Sequence, residues 1–588
     1  MSRKVRKWVD IIEKGKKAKK VWSDSFRVDQ LDKYYEGFQR PSWWPDNKES
    51  FMVINLLYAN IKSQIDSLFS TTPQFYVRPS RSFSSTKPEE MSLLDEQASK
   101  RELVLNYYIK ENNTKKEVRK CILDAFLSFG VIKTFYNPIY DKNPKAGEPI
   151  LDSNGKPIIN RTTGDIELQP SIILTKENFL IERRDSRNIY FDPFADSLEN
   201  IRWVAERIEY TLDEVKSNPI YTNTANLKPS TSVSISSTTD GDRKTEDERK
   251  RGVIDRTTVN PDNNKEELIV CWEIYDIENN KVITIAEGHD EFLMNIDTPP
   301  SIEKHPFVFL YFINRVNSPY PIPDIWHQLG PQDEYNITRN QIVTHRKRFS
   351  RKYEVLEGAI DDKELTKLEE PYDGLVLKKK SDGPALQAIV DPPLDSAVYF
   401  DVEMLRKDFF DISGTVQEGQ IAQIEKATTA QIVNDRMEAR KRGKQLLVKE
   451  FMEEVGSKLM LLIENEIELS QRIAILGEGG VTWQNIHPSD FSGQGEFLYE
   501  VSSGSMIPRS PAADREGWLA LLQVINANPH IATSEVLLRK TAAMFQFEDK
   551  TLIQELVGIG KQMLQERMVN GGQPGQPSPP KTEGGSSL

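Results

Sequence analysis

The sequence predicts a multidomain α+β protein organised around long helices, and three observations support this fold class. The chain has 588 residues, enough for several modules that each carry a core. Residues 428–470 keep a helical spacing of apolar positions with no proline, which predicts one helix of about 65 Å. Strand-like runs with hairpin turns recur between residues 130 and 310, so sheets are expected beside the helices.

The composition excludes some classes of protein. With a formal net charge of -12 and a pI of about 5.4, a basic nucleic-acid clamp extending over the whole chain is not expected. No apolar run reaches the ~18–20 residues of a membrane span, and the N-terminus has no signal-peptide core. We expect a soluble protein made in a cytoplasm. Cys121 and Cys271 are expected to be buried free thiols, with a disulfide as the alternative.

The N-terminal residues form a basic amphipathic pattern. Residues 2–20 hold nine lysines and arginines, and Val5, Trp8, Ile11 and Ile12 lie roughly on one helical face. Such a helix fits a membrane surface or an acidic partner. The simpler prediction, which we prefer here, is that residues 1–50 form a mobile surface arm anchored by a tryptophan.

Residues 51–322 predict helices followed by strands. Three helical patterns precede Gly130, and strand patterns follow it. Within this region, residues 218–266 have almost no apolar content and a high density of charge. This composition predicts a mobile surface insertion.

A pair of helices with a small module between them is predicted next. The first helix lies within residues 323–352 and the second within residues 394–413, and residues 353–393 consist of short strands and turns. The two helices are expected to run antiparallel, with the module at their tip. The C-terminal half of the first helix has a basic face formed by Arg339, Arg346, Lys347, Arg348 and Arg351, with Lys352 beside it.

A polar loop and the long helix follow. Gly414 is predicted to end the second helix of the pair in a left-handed cap, and residues 414–427 form the loop. The long helix loses its apolar face around residues 438–445, where Gly443 would allow a bend. We expect that a single chain cannot bury such a helix along its length. Helices are predicted again up to residue 568, and residues 569–588 are a disordered tail.

The sequence lacks recognisable catalytic or metal-binding signatures. Its six histidines are scattered without HExxH or CxxC spacing, and no GxSxG motif occurs. Gly558 and Gly560 resemble part of a phosphate loop, but Gln562 stands where serine or threonine is needed. We therefore predict no catalytic residue, no metal site and no cofactor.

In the order of its pieces, the chain resembles the portal proteins of tailed bacteriophages, particularly those of short-tailed phages. The stretches that carry the resemblance are NLLYANI (55–61) leading into TPQFYVRP (72–79), DPFA (192–195) before RWV (202–204), FDISG (410–414) before TTA (428–430), and SGS (503–505) before Pro508 and Asp514. None of them is a strict signature, so the specificity lies in their order.

The resemblance implies a portal-type subunit with named parts. These parts are a β-rich wing (51–322), a stem of two helices (323–352 and 394–413), a small α/β clip (353–393), a tunnel loop (414–427), a long helix and wing return (428–510), and helical crown segments (511–568). It also implies a homo-oligomeric ring, usually a dodecamer, at one capsid vertex of the virion, assembled in the host cytoplasm.

The resemblance further implies partners and a site. Double-stranded DNA would pass through the ring during packaging and ejection, and the clip would dock the terminase and later the head-tail adaptor. Major capsid and scaffolding proteins would contact the ring. The expected channel residues of the tunnel loop are Gln417, Glu418, Gln420, Gln423 and Lys426.

The near-neutral composition of that loop suits a sliding guide better than a grip on phosphates, and an ordinary solvated loop is the alternative. Two other functions stay open at this point. One is a DNA-processing enzyme such as a nuclease, and the other is a different structural protein of the capsid.

Overall fold

The computed structural model combines helices with several small sheets, which confirms the predicted α+β class. It describes residues 3–44, 51–81, 88–150, 168–229, 231–233, 266–348, 352–369, 378–380, 386–389, 393–415, 427–477, 480–491 and 496–501, with isolated positions elsewhere. The predicted crown segments and tail (511–588) lie outside this part of the chain apart from such positions.

The helices and strands have the following bounds. The helices are α1 (Arg3–Phe26), α2 (Val28–Glu36), α3 (Leu56–Leu68), α4 (Pro88–Glu111), α5 (Thr114–Leu127), α6 (Leu212–Ser217), α7 (Leu329–Arg348), α8 (Asp362–Glu369), α9 (Ser396–Ser413) and α10 (Ala427–Glu466). The strands are β1 (Phe75–Arg81), β2 (Gly130–Lys142), β3 (Ile172–Arg184), β4 (Ile189–Phe191), β5 (Trp203–Thr211), β6 (Thr231–Val233), β7 (Glu266–Asp276), β8 (Lys281–Ala286), β9 (Phe292–Asp297), β10 (Phe307–Leu310), β11 (Lys352–Val355), β12 (Leu386–Ile389), β13 (Gln471–Gly477), β14 (Gly480–Ile486) and β15 (Glu496–Val501).

The main core lies between α3, α4, α5, α10 and an antiparallel sheet in the order β10-β2-β3. Gly130, at the start of β2, lets that strand pass close to α5. A Cβ atom there would lie 2.3 Å from the carbonyl oxygen of Cys121. Cys121 itself is a buried free thiol, as is Cys271, which confirms the prediction for both cysteines.

A second sheet has the order β4-β5-β7-β8-β9, with β6 pairing on β7. Helix α1 packs on this sheet, and its Val5 and Ile12 are buried in one cluster with Trp203 and Trp272. The prediction of a mobile N-terminal arm is therefore wrong for residues 3–26. The physical reason is that the apolar residues of α1 recur on one face and cover an apolar sheet, although charged residues dominate the composition.

The ammonium of Lys133 links the two sheets in a buried ionic network. Its Nζ lies 2.8 Å from Oε2 of Glu206 and 3.0 Å from Oε2 of Glu273. Burial alone would lower the pKa of Lys133, but the two carboxylates outweigh it and the pKa is raised. A buried charge of this kind fixes the relative position of the sheets, because it must keep both partners.

The predicted mobile insertion is partly wrong. Residues 218–229 are packed against β9: the backbone N of Thr222 donates to the carbonyl of Leu293 at 2.8 Å, and Leu227 is buried beside Leu293. Strand β6 then pairs with β7. A few apolar residues suffice for this packing, although the composition of the whole insertion is polar. Residues 234–265 lie outside the described residues.

Helix α10 has 40 residues, or about 60 Å of length. Its residues 439–443 are exposed, as the missing apolar face predicted, and Gly443 lies inside the helix. From Val448 to Ile463, however, the apolar positions are buried in the main core. One chain therefore buries the C-terminal half of this helix and leaves residues 439–443 exposed, in agreement with the expectation that it cannot bury the whole length. A Cβ atom at Gly456 would lie only 2.3 Å from Cε1 of Phe75, which shows how closely β1 approaches.

Candidate nucleic-acid interface

The predicted site residues divide into described and undescribed positions. Gln417, Glu418, Gln420, Gln423 and Lys426 lie outside the described residues. The structure does describe both ends of their loop, because α9 ends at Ser413 and α10 begins at Ala427. The structure therefore describes the elements on either side of the loop. We call these elements, with the residues that contact them, the frame of the loop.

One part of that frame is the pair of helices α7 and α9, which pack against each other. Tyr335 of α7 and Val402 and Phe409 of α9 are buried and belong to the main core. Between the two helices in the chain, β11 and β12 form a short antiparallel pair, and α8 lies beside them with Ala359 and Ile360 buried.

The predicted basic face of α7 is only partly described. Arg346 and Lys347 are exposed, and Arg339 is half-buried. The Nε atom of Arg339 is buried and has no hydrogen-bond partner among the described residues. Arg348 ends α7 but its side chain is not described, and Arg351 lies outside the described residues. The structure therefore locates only Arg339, Arg346 and Lys347 of the five predicted cations.

A row of buried amide side chains attaches α7 to the rest of the chain. Gln328 immediately precedes α7, and the row continues with Gln332, Asn336 and Asn340. They recur every four residues, lie on one face, and are 0–2% exposed. We call them the amide ladder.

The amide ladder binds the backbone of residues 52–54, just before α3. Asn340 accepts from the backbone N of Met52 and donates to its carbonyl, both at 2.7 Å. Asn336 accepts from the backbone N of Ile54 at 2.9 Å, and Gln332 donates to the Ile54 carbonyl at 2.9 Å. Side chains thus satisfy backbone groups that lie in no helix or strand. The spacing of glutamine and asparagine by four was the sequence signal that could have found this contact.

Helix α2 supports the same region, and one of its hydrogen bonds reaches α7 directly. The hydroxyl of Tyr34 donates to Oδ2 of Asp333 on α7 at 3.0 Å. Burial and the neighbouring carboxylate raise the pKa of Tyr34 to about 12, and burial raises the pKa of Asp333. The phenol therefore keeps its proton at neutral pH and can act as the donor.

The first end of the predicted tunnel loop is fixed by a helix cap. Gly414 has φ 71° and its backbone N donates to the carbonyl of Phe410, which confirms the predicted left-handed cap. Arg440 of α10 reaches the same turn, and its Nη1 donates to the carbonyl of Asp411 at 3.0 Å. Thr415 donates from Oγ1 to Oδ1 of Asn60 at 2.9 Å.

Lys444 fixes α10 one turn further on. Its Nζ donates to Oδ2 of Asp324 at 2.8 Å and to Oε1 of Gln64 at 2.9 Å. The ammonium also lies 4.7 Å from the ring centroid of Phe126 and 5.1 Å from that of Phe312. The first end of the loop is therefore held by α3, and α10 is held by α3 and by the segment before α7 at Lys444, about 25 Å along the helix from Ala427. Sequence analysis did not identify Arg440 or Lys444 as part of this frame.

The side chains of the frame position the helices through hydrogen bonds, and they do not form a reactive cluster. Within the described ranges, no group of three His, Cys, Asp or Glu side chains is placed to hold a metal ion. In the same part of the chain, no helix has both the length and the apolar content needed to cross a membrane.

Comparison with models of protein families gives a match. Over residues 82–531, more than half of the chain, the sequence matches the family described as Phage SU10 portal protein. That range includes α7, α9, the loop between α9 and α10, and α10 itself. A search of curated proteins finds no match.

Proposed function

The chain belongs to the phage SU10 portal protein family, and we propose that its copies form the ring through which the phage genome enters and leaves the capsid. The family confirms the resemblance to portal proteins of tailed bacteriophages and gives the chain a structural role in the phage capsid. The short-tailed subtype and the number of subunits stay predictions.

One observation carries the proposal. The family match is continuous from residue 82 to residue 531, so the helix pair, the module between its helices and the long helix all fall inside one portal match. This supports reading residues 51–322 as the wing, 323–352 and 394–413 as the stem, 353–393 as the clip, and 428–510 as the long helix with the wing return. Residues 511–568 remain the proposed crown.

We propose that the tunnel loop, residues 414–427, lines the DNA path. Its support is the frame: Thr415 is bound to α3 and Arg440 caps the helix before the loop. These contacts fix the start of the loop relative to the body of each subunit. The neutral glutamines at 417, 420 and 423 would let duplex DNA slide, because they form no ion pairs with phosphates.

We propose that the clip docks the terminase and later the head-tail adaptor, while other faces of the ring meet the major capsid and scaffolding proteins. Apolar side chains at the clip surface support a docking role. Tyr353, Leu356 and Ile389 are 43%, 63% and 47% exposed. Exposed aromatic and aliphatic side chains are available to the apolar centre of a protein interface. We further propose that the chain itself has no catalytic activity and needs no cofactor.

Negative-stain imaging of the purified protein tests the ring directly. Rings with a central channel are expected. A monomer that cleaves DNA with a divalent metal would instead support the DNA-processing alternative. Closed shells or filaments without channels would support a different structural protein of the capsid.

The loop proposal has its own test. Replacing Gln417, Gln420 and Gln423 by lysine adds three cations per subunit that can hold phosphates. Rings should form normally, but packaging should slow at low salt and recover as salt rises. Packaging equal to wild type at every salt concentration would place the loop away from the DNA.

A further inference from the structure

Helix α1 buries its apolar face against the protein, and its opposite face is exposed and strongly basic. Val5, Ile12 and Trp22 are buried against the second sheet, and the indole of Trp22 donates to the carbonyl of Pro321 at 2.7 Å. Gly15 allows this close approach, since a Cβ there would lie 2.8 Å from Cη2 of Trp203. A helix whose apolar stripe is occupied in this way has little apolar surface left for inserting into a bilayer.

The charge of α1 is opposite to that of the chain. Residues 3–26 contain nine lysines and arginines against three acidic residues, a net charge of +6. The whole chain carries -12, so the remaining residues carry -18. Helix α1 is therefore a locally basic element in an otherwise acidic protein.

Most of these cations are free to meet a partner. The exposed ones are Arg3, Lys4, Arg6, Lys7, Lys14, Lys17 and Lys20. None of the seven forms an ion pair with another described residue, whereas the half-buried Lys16 pairs with Glu13 and Glu287. At about 100° per residue, all except Lys4 lie within an arc of about 140° opposite the buried stripe.

The chemistry of this face favours a phosphate backbone over a protein surface. Among large apolar side chains, Val21 alone is exposed on α1, at 67%. Protein interfaces usually have an apolar or aromatic centre, and this face does not provide one. Lysines along a rigid rod about 36 Å long can instead neutralise successive phosphates without reading bases.

We propose that the outer face of α1 binds double-stranded DNA without sequence preference, outside the channel of the ring. The inference needs from the proposed function only that the protein works beside duplex DNA. The packing of α1 on the sheet holds the cations in place before DNA arrives, which reduces the ordering cost of binding.

The test uses the full-length protein and a covalently closed circular duplex. Such a circle cannot thread through a preformed ring, so its binding reports an outer surface. The test variant changes Lys7, Lys14, Lys17 and Lys20 to glutamine. A matched control changes Lys142, Lys145, Lys216 and Lys228, which are exposed lysines on other elements. Affinity is measured from 50 to 200 mM salt.

Wild type and control should bind the circle with a steep salt dependence. The α1 variant should bind at least tenfold more weakly at 50 mM salt, and its slope of log affinity against log salt should be less steep by about 3 to 4. Equal affinity and slope for all three proteins would overturn the inference. So would binding by the wild type to vesicles of anionic lipid, or to a second copy of the chain through α1, without binding to DNA.

Two controls separate the possible failures. Circular dichroism and thermal unfolding check that the variant retains its fold, which is expected because all four lysines are exposed. Negative-stain imaging of the same preparations scores ring formation. Rings without α1-dependent DNA binding would refute this inference alone, and DNA binding without rings would refute the proposed function alone.

Discussion

Helices α1 and α7 both carry cations but are attached to the protein in opposite ways. Helix α1 docks by burying Val5, Ile12 and Trp22, and most of its charges other than Lys19 point away. Helix α7 docks largely through the amide ladder, whose Gln332, Asn336 and Asn340 bind the backbone of residues 52–54. Apolar docking depends mainly on area, whereas the ladder depends on exact donors and acceptors.

The difference teaches what each attachment tolerates. A smaller apolar residue at Val5 or Ile12 leaves a cavity but no unsatisfied polar group. A substitution in the amide ladder leaves buried backbone groups of residues 52–54 without hydrogen-bond partners. Each such group lowers the free energy of unfolding by about 1–3 kcal/mol. Substitutions in the amide ladder should therefore lower stability more than substitutions in the apolar face of α1. Four predictions test this comparison, from the largest expected effect to the smallest.

Asn336→Leu should have the largest effect. In the wild type, the side chain of Asn336 accepts from the backbone N of Ile54 and donates to the side-chain oxygen of Gln39. Leucine leaves both groups without these hydrogen-bond partners. We expect the free energy of unfolding to fall by about 4 kcal/mol, measured by urea denaturation. Asn465→Leu is the control, since Asn465 is exposed on α10 and should change stability by less than about 0.5 kcal/mol. Similar decreases in the free energy of unfolding for the two variants would show that the amide ladder contributes no more to stability than an exposed asparagine.

Ile12→Ala should loosen α1 by about 3 kcal/mol. Because this loss affects the docking of one helix, trypsin should cut α1 before the body of the protein unfolds. Val21→Ala removes an exposed side chain and should leave the cleavage rate unchanged. Cleavage of the Ile12 variant only on global unfolding would mean that α1 belongs to the same cooperative unit as the core.

The docking of α1 should depend on pH, while the ladder should not. Burial lowers the pKa of Lys19 on α1 to about 7, partly opposed by Asp185 and Asp29. The undocked lysine holds its proton up to about pH 10.5. Between these values the undocked state binds more protons, so docking should strengthen as pH rises, by about 1 kcal/mol per pH unit.

Proteolysis of α1 between pH 7 and 9 checks this sign. Lys19→Met should abolish the dependence because it removes the titrating group. The amide side chains of the ladder do not titrate, so hydrogen exchange at Ile54 should show no comparable change once corrected for the intrinsic effect of pH. Docking that weakens as pH rises would contradict the prediction.

Lys16→Met should have the smallest effect. Its ammonium lies 2.9 Å from Glu13 and 3.4 Å from Glu287, and the side chain is one-third exposed. The ammonium also lies 4.7 Å from the ring centroid of Trp272. Partly exposed ion pairs contribute little, so we expect a change below about 1 kcal/mol in thermal unfolding. A larger loss would show that electrostatics, and not only burial, attaches α1.

Local patterns in the sequence predicted the parts of the fold that depend on local structure. The cap at Gly414, the start of the long helix and its exposed residues 439–443 follow from residue type and spacing alone. The resemblance to portal proteins, which depended on the order of such pieces, was confirmed by the family match.

Features that depend on distant partners could not be predicted in this way. The stripe of α1 meets Trp203 only in the folded chain, and the burial of α10 from Val448 to Ile463 needs strands from both ends of the sequence. Lys444 pairs with Asp324, and Asn336 with Ile54, across long stretches of chain. The structure describes the frame beside the predicted channel residues. The roles of these residues are proposals.

The pairing of β1 with β15 joins residues that the ribosome makes far apart in time. Arg78 and Glu500 are 422 positions apart. At ~5–20 residues per second, β1 would wait on the order of 20–80 s for its partner strand. An open strand edge invites pairing with other chains, and Pro79 with the flanking Arg78 and Arg81 makes β1 a poor template for that. A nascent chain can therefore close its main core, and become ready to meet other copies, only after β15 has been synthesised.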